Sequence, residues 1–101
     1  MIRFYKANPP NWKLIPCKDV IEWGQWFETA NRQVARYETQ DITVSTIFIG
    51  IGPIEEPTLN NLFETMVFRE GSEDECYRYQ TYENAIKGHN EIVDRLTNLC
   101  N

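Results

Sequence analysis

One histidine and one isolated carboxylate are the residues of this chain best suited to chemistry. His89 falls in the middle of an apolar helical series, Ala85, Ile86, His89, Ile92, Val93 and Leu96, while Glu64 stands alone in the apolar run Leu62-Phe63-Glu64-Thr65-Met66-Val67-Phe68. An imidazole at that position is withdrawn from water and needs a hydrogen-bond partner, for which Glu64, Thr46 and Tyr79 are the candidates. Held beside Glu64 it would be a general base with a pKa tuned near neutrality; held by a sheet residue alone it is a structural histidine. Glu64 needs a partner too, and Arg36, Arg78 or His89 would serve in an ion pair. Neither residue is joined by a nucleophile, since Ser45 lacks the G-x-S-x-G turn and Cys76 has no activating neighbour in sequence. His89 and Glu64 are therefore the catalytic candidates of a chain that leans away from being an enzyme.

Metal and cofactor chemistry have less to build on. Cys17, Cys76 and Cys100 are odd in number, far apart and outside any C-x-x-C spacing, which argues against a disulfide framework. A zinc site from these thiols and His89 is poorly spaced, because His89 and Cys100 would lie about 16 Å apart along one helix at ~1.5 Å per residue. Gly50-Ile51-Gly52 opens no helix and precedes no lysine, so it is not a phosphate loop. We expect neither metal nor cofactor.

These residues must be positioned by one small domain, as 101 residues of which 42% are hydrophobic leave no room for a second core of useful size. Ile2 to Lys6 alternates as a short strand and stops at Asn8-Pro9-Pro10-Asn11; a loop is expected through Trp12 and Pro16. Asp19 and Glu22 have the spacing of a capping box, and Val20, Trp23, Phe27 and Ala30 begin an amphipathic first helix. Arg32 to Glu38 and Ile42 to Ile51 are rich in β-branched and aromatic residues around a turn at Thr39-Gln40-Asp41, followed by strands over Leu62 to Phe68 and Cys76 to Gln80. Thr81 caps a second helix to about Cys100, with Lys87, Asn90, Glu91, Asp94 and Asn98 opposite its apolar arc. The order β-α-β-β-β-β-α predicts an α+β fold: an antiparallel sheet of four to five strands with both helices on one face.

Two helices cover only one face. The strand from Ile42 shows Ile42, Val44, Thr46 and Phe48 to one side and Thr43, Ser45, Ile47, Ile49 and Ile51 to the other, so neither side is properly polar. A second apolar face in water would be covered by another subunit, as in a homodimer, or by a partner, unless Trp12, Leu14 and Ile15 of the N-terminal loop lie across it.

The charge is −5 and uneven: residues 1 to 18 hold Arg3, Lys6, Lys13 and Lys18 without an acid, and residues 55 to 75 hold seven acids against Arg69. That balance disfavours nucleic acid, whose phosphates would repel the chain. No run approaches the roughly 18 apolar residues of a membrane span and no leader resembles a signal peptide, so a soluble intracellular chain is expected, without membrane contact. The acidic belt, represented by Glu55, Glu56, Glu73 and Asp74, reads either as solvated surface or as a docking face. Trp12, Trp26 and Tyr82, at the edges of elements, are candidate interface anchors, with Trp26 foremost.

Val44-Ser45-Thr46-Ile47-Phe48-Ile49-Gly50, Leu62-Phe63-Glu64-Thr65-Met66-Val67-Phe68 and Tyr79-Gln80-Thr81-Tyr82-Glu83-Asn84-Ala85 with Gly88-His89 resemble a family of small uncharacterised proteins encoded by tailed bacteriophages and prophages. The similarity spans about the last three-fifths of the chain, and more loosely Trp23, Trp26 and Val34-Ala35-Arg36 of the first part. The turn Gly52-Pro53-Ile54-Glu55-Glu56 departs from the acidic and histidine-containing turn of such relatives. The resemblance implies a phage origin and a role in the cytoplasm of the infected bacterium; it implies no activity. The expected function is that of an accessory protein binding a host or phage protein, to blunt a defence or redirect a host enzyme. The alternative is a small enzyme or ligand-binding domain using His89 and Glu64, and a virion component is a third reading.

Overall fold

A computed structural model describes residues 2–53, 61–70 and 72–98. It contains seven strands and two helices: β1 (Ile2–Lys6), β2 (Ile15–Cys17), α1 (Val20–Thr29), β3 (Gln33–Glu38), β4 (Ile42–Phe48), β5 (Ile51–Pro53), β6 (Phe63–Arg69), β7 (Ser72–Tyr79) and α2 (Tyr82–Asn98). The α+β class is as expected, but the strands divide into two antiparallel sheets. β2-β1-β5 form one, and β3-β4-β6-β7 form the other, in which β4 and β6 are neighbours although β5 lies between them in the chain. The helices divide with them, α1 packing on β1 and β2 and α2 crossing all four strands of the larger sheet. The expectation of both helices on one face of one sheet is corrected accordingly.

Two local features cause the division. After Phe48 the chain turns at Gly50, whose φ is +79°, so that Ile51 to Pro53 leave the larger sheet and pair with Phe4 to Ile2 of β1. A positive φ of this kind suits glycine, and space requires it as well: a Cβ there would lie 2.5 Å from the Tyr5 carbonyl oxygen and 2.8 Å from Phe48 Cε2. The second feature is β2, inside the segment expected as a loop; Ile15, Pro16 and Cys17 pair with Lys6, Tyr5 and Phe4. Pro16 is accommodated because β2 is an outer strand, where a missing N–H leaves no internal ladder broken.

The helix starts follow the sequence reading. Asp19 Oδ1 accepts from the N–H groups of Ile21 at 2.9 Å and Glu22 at 3.3 Å, capping α1. Thr81 Oγ1 accepts from the Asn84 N–H at 3.1 Å at the head of α2. α1 is fastened to its sheet by Trp23, whose indole N–H donates to the Tyr5 carbonyl at 2.7 Å and whose ring lies against Phe4 and Phe27.

The core has two parts. Tyr5, Ala7, Trp12, Phe48, Leu62, Phe63 and Ala85 close the junction of the two sheets with the head of α2; Val44, Val67, Ile92 and Leu96 fill the space under the rest of that helix. Phe48 is at the centre of the first part, its ring lying near Trp12, Trp26 and Phe63. Arg32 adds a further tie, donating to the Phe48 carbonyl at 3.0 Å with its guanidinium 3.6 Å above the Phe27 ring.

Gly50 is therefore the joint on which the two-sheet arrangement turns. Gly50→Ala should destabilise the chain by about 2–4 kcal/mol in urea denaturation, from backbone strain and overlap together. A loss below about 1 kcal/mol, the scale of glycine's propensity alone, would show that the corner yields without cost.

Candidate functional site

His89 lies on the inner face of α2, 5% exposed, above the middle of the larger sheet. Its Nδ1 is 2.8 Å from the Thr46 hydroxyl, which is 2.5 Å from the Thr65 hydroxyl. Both threonines have no exposed surface and sit directly opposite each other across the β4–β6 pair. Burial lowers the pKa of the imidazole, so it is neutral near pH 7. Two proton orders satisfy the group: Thr65 donates to Thr46 and Thr46 to Nδ1 with the ring proton on Nε2, or Nδ1–H donates to Thr46 and Thr46 to Thr65. Of the partners expected from sequence, Thr46 is the one used.

Glu64 is on the opposite side of the sheet. Its register partners are Ile47 and Arg78, and its carboxylate accepts from the Arg78 Nε–H at 3.0 Å. Only 13% of the Glu64 side chain is exposed, so Arg78 supplies the partner that a shielded carboxylate needs. The alternation of β6 separates the two catalytic candidates: Phe63, Thr65 and Val67 are buried beneath α2, and Glu64, Met66 and Phe68 point the other way. The geometry gives His89 a hydroxyl and Glu64 a guanidinium, and builds no dyad.

The interface candidates fare unevenly. Trp12 is a correction: it is 4% exposed and belongs to the core against Phe48, so it is not a surface anchor. The reason is its backbone, whose φ of 55° folds the segment after Asn11 back onto the sheet junction, with the Trp12 N–H donating to the Asn8 carbonyl at 3.0 Å. Trp26 is half-buried, edge-on to Phe48, with its indole N–H donating to the Asn8 side chain at 3.3 Å. Tyr82 is half-buried against the same cluster.

Of the acidic belt, Glu55 and Glu56 lie outside the described residues. Glu73 and Asp74 are exposed on β7, near the turn that joins β6 to β7, but the surface there is not uniformly acidic. Arg69 Nε is 2.7 Å from the Asp74 carboxylate, and Glu75 is met by Arg95 at 2.6 Å and Arg69 at 3.5 Å. A hydrogen bond from the Tyr77 hydroxyl, followed by Arg95 and Arg69, holds the Glu75 carboxyl below its ordinary range against the opposing effect of burial.

Two surfaces emerge from the topology. No described helix packs on the side of the larger sheet away from α2. Across that side run three rows: Glu38, Thr43, Phe68 and Glu73; Arg36, Ser45, Met66 and Cys76; Gln33, Ile47, Glu64 and Arg78. Ile47, Met66 and Phe68 are half-buried at its centre, and the Arg36–Glu38 and Arg78–Glu64 pairs frame it. The sequence reading expected a second apolar face, covered by a partner unless Trp12, Leu14 and Ile15 lay across it; Trp12 is instead in the core against Phe48, and Glu64 stands at one end of this face. The other surface is a groove of about 570 Å³ between α2 and β7, reaching from Asn84 to Arg95. Sequence reasoning missed it, since it arises from where α2 crosses the sheet; Gly88 was the available signal. A methyl there would overlap the Tyr79 phenol, so glycine lets that ring lie against the helix.

Among the described residues there is no group of three or more His, Cys, Asp or Glu placed to hold a metal, and no helix long and apolar enough to cross a membrane. No family model, curated protein or solved structure matches the chain.

The neutral imidazole makes a prediction about pH. Because the folded pKa of His89 lies below its ordinary 6.5, the unfolded chain binds this proton first as pH falls. The stabilisation is thus complete above about pH 6.5 and is lost as pH drops through the folded value. Glu38 and Glu75, held down chiefly by Arg36 and Tyr77, act only below their ordinary 4.5. Urea denaturation from pH 7.5 to 5 should show falling stability in the wild type and a flatter profile in His89→Gln; parallel profiles would contradict the assignment. Thr46→Val, which leaves the ring and Thr65 without their partner, should cost about 1–3 kcal/mol at pH 7.

Proposed function

We propose that this chain is a non-catalytic accessory protein of phage or prophage origin, acting in the cytoplasm of the infected bacterium by binding a host or phage protein. Its contact surface is the side of the β3-β4-β6-β7 sheet that α2 leaves open. The observation that carries this reading is the row structure of that side: an apolar centre of Ile47, Met66 and Phe68, flanked by Thr43 and Ser45 and bounded by charged pairs. That is the layout of a binding patch, in which a desolvated apolar centre supplies affinity and a polar rim supplies register. The side chains are anchored from behind by a packed helix, so the face is presented without a further ordering cost.

The sequence resemblance supports the phage setting. The separation of His89 from Glu64 supports binding over catalysis, because the imidazole is turned into the sheet and bonded to Thr46, while the carboxylate is neutralised by Arg78. Occlusion of the partner's working surface is the physical form such binding takes. A second copy of the chain would compete for the same face.

Met66→Lys tests the surface without touching the core under α2. The variant should fold as the wild type does, and its recovery of a stoichiometric partner from infected cells should fall at least about tenfold, the effect of a charge placed at a desolvated centre. Equal recovery by both proteins would exclude this face. A wild-type solution mass twice that of the variant would instead identify the partner as a second copy.

A further inference from the structure

The larger sheet also has an open edge. β7 is an outer strand paired among the described residues with β6 alone, and α2, which follows it, runs back beside it. Tyr77 and Tyr79 oppose Thr65 and Phe63 across the β6–β7 pair, so they stand on the α2 side of the sheet and form one wall of the groove of about 570 Å³. The other wall is the flank of α2 at Lys87, Gly88, Glu91 and Ile92. Among the described residues the outward backbone groups of β7 have no strand partner, and such an edge beside a groove that takes alternate side chains is the arrangement by which a sheet accepts an added peptide strand. Tyr77 and Tyr79 are two residues apart, about 6.6 Å along a strand, which is also the spacing of side chains on one side of an added strand.

We infer that this edge and groove bind an extended peptide segment of a protein, with an acidic side chain at the Lys87 end and an apolar one two residues away over Tyr77 and Ile92. The charges fix that order. Lys87 is exposed and makes no ion pair among the described residues, whereas Arg95 at the other end is already held by Glu75 at 2.6 Å. Glu91, one turn along from Lys87, repels an acid displaced toward the centre. Beyond Glu75, a bulge between Val67 and Phe68 interrupts the register, and Glu73 and Asp74 add negative charge. These features confine pairing to Glu75 through Tyr79 and exclude an acidic continuation at that end. The surface is distinct from the Met66 face and shares with the proposed function only that the ligand is protein.

The test uses the full chain, immobilised, to select from a displayed library of random twelve-residue peptides. The selected peptides are then titrated into isotope-labelled chain and followed by amide shifts. Enriched sequences should carry an acid two positions from an aliphatic or aromatic residue, and shifts should centre on β7 and the adjoining flank of α2. Lys87→Glu should weaken binding about five- to tenfold, and replacing the peptide's acid by lysine should restore it in that variant. Met66→Lys should bind as the wild type does. Absence of enrichment, shifts centred on Ser45, Met66 and Phe68, or affinity indifferent to Lys87→Glu would each overturn the inference. The outcome for the Met66 face is read from its own variant, so either surface can fail alone.

Discussion

Two threonine hydroxyls and one imidazole, sealed between α2 and the larger sheet, set the position of everything around them. Each of these groups loses its hydration on folding; the threonines partner each other across β4 and β6, and the imidazole gains its partner only if His89 stands over that pair. Moving the helix by one turn would displace the ring about 5.4 Å and break its bond to Thr46, leaving the buried imidazole without that partner. The apolar contacts of Val44, Val67, Ile92 and Leu96 hold the helix down but are tolerant of register; the polar cluster is not. Once Thr46 and Thr65 are committed to the helix side, period-2 alternation sends Ser45, Ile47, Glu64, Met66 and Phe68 to the other.

Among the described residues that other side stays open because the other elements are committed elsewhere. Gly50 diverts the end of the long strand into a second sheet, and α1 closes over that sheet through Trp23 and Phe27. Trp12 and Trp26 are consumed at the junction around Phe48. Neither helix remains to cover Met66. The same geometry leaves β7 at an edge beside the returning α2, so both proposed contact surfaces follow from one fact, that among the described residues four strands are backed by a single helix.

The elements governed by local chemistry were legible in the sequence. The capping residues Asp19 and Thr81, the apolar arc of α2 with His89 in it, and the turn between β3 and β4 follow from side-chain spacing within one element. Thr46 was one of three partners named for the histidine and Arg78 one of three for Glu64, and the pairing of the strands and the seat of α2 decide between them. What could not be read depends on which of two apolar faces is covered. In Ile42 to Phe48 and Phe63 to Arg69 both faces carry large apolar residues, so the pattern does not orient Glu64; pairing with Ile47 on one side and Arg78 on the other does. The division into two sheets was hidden for a similar reason. Gly50 sits in a run that alternates as one long strand, and its φ of +79° is imposed by the close approach of Tyr5, a residue 45 positions away. Trp12, placed between prolines and lysine, looked exposed until a left-handed backbone turned it inward.

The claim at the centre of this account is that one side of the larger sheet is sealed and the other is open to solvent in the isolated chain. Cys76 lies opposite Met66 on the open side of that sheet, and Cys17, buried in the smaller sheet, is an internal reference for a thiol sealed in the fold. Pulsed alkylation of the folded chain above pH 8.5, with labels assigned by peptide mass, reads the difference directly; the raised pKa of the Cys76 thiol, from burial and Glu64, makes alkaline conditions necessary. Cys76 should react in the folded state, and Cys17 only as fast as the chain unfolds. In a chain whose solution mass is that of the monomer, protection of Cys76 equal to that of Cys17 would show that the face is covered within the chain itself, and would contradict the account.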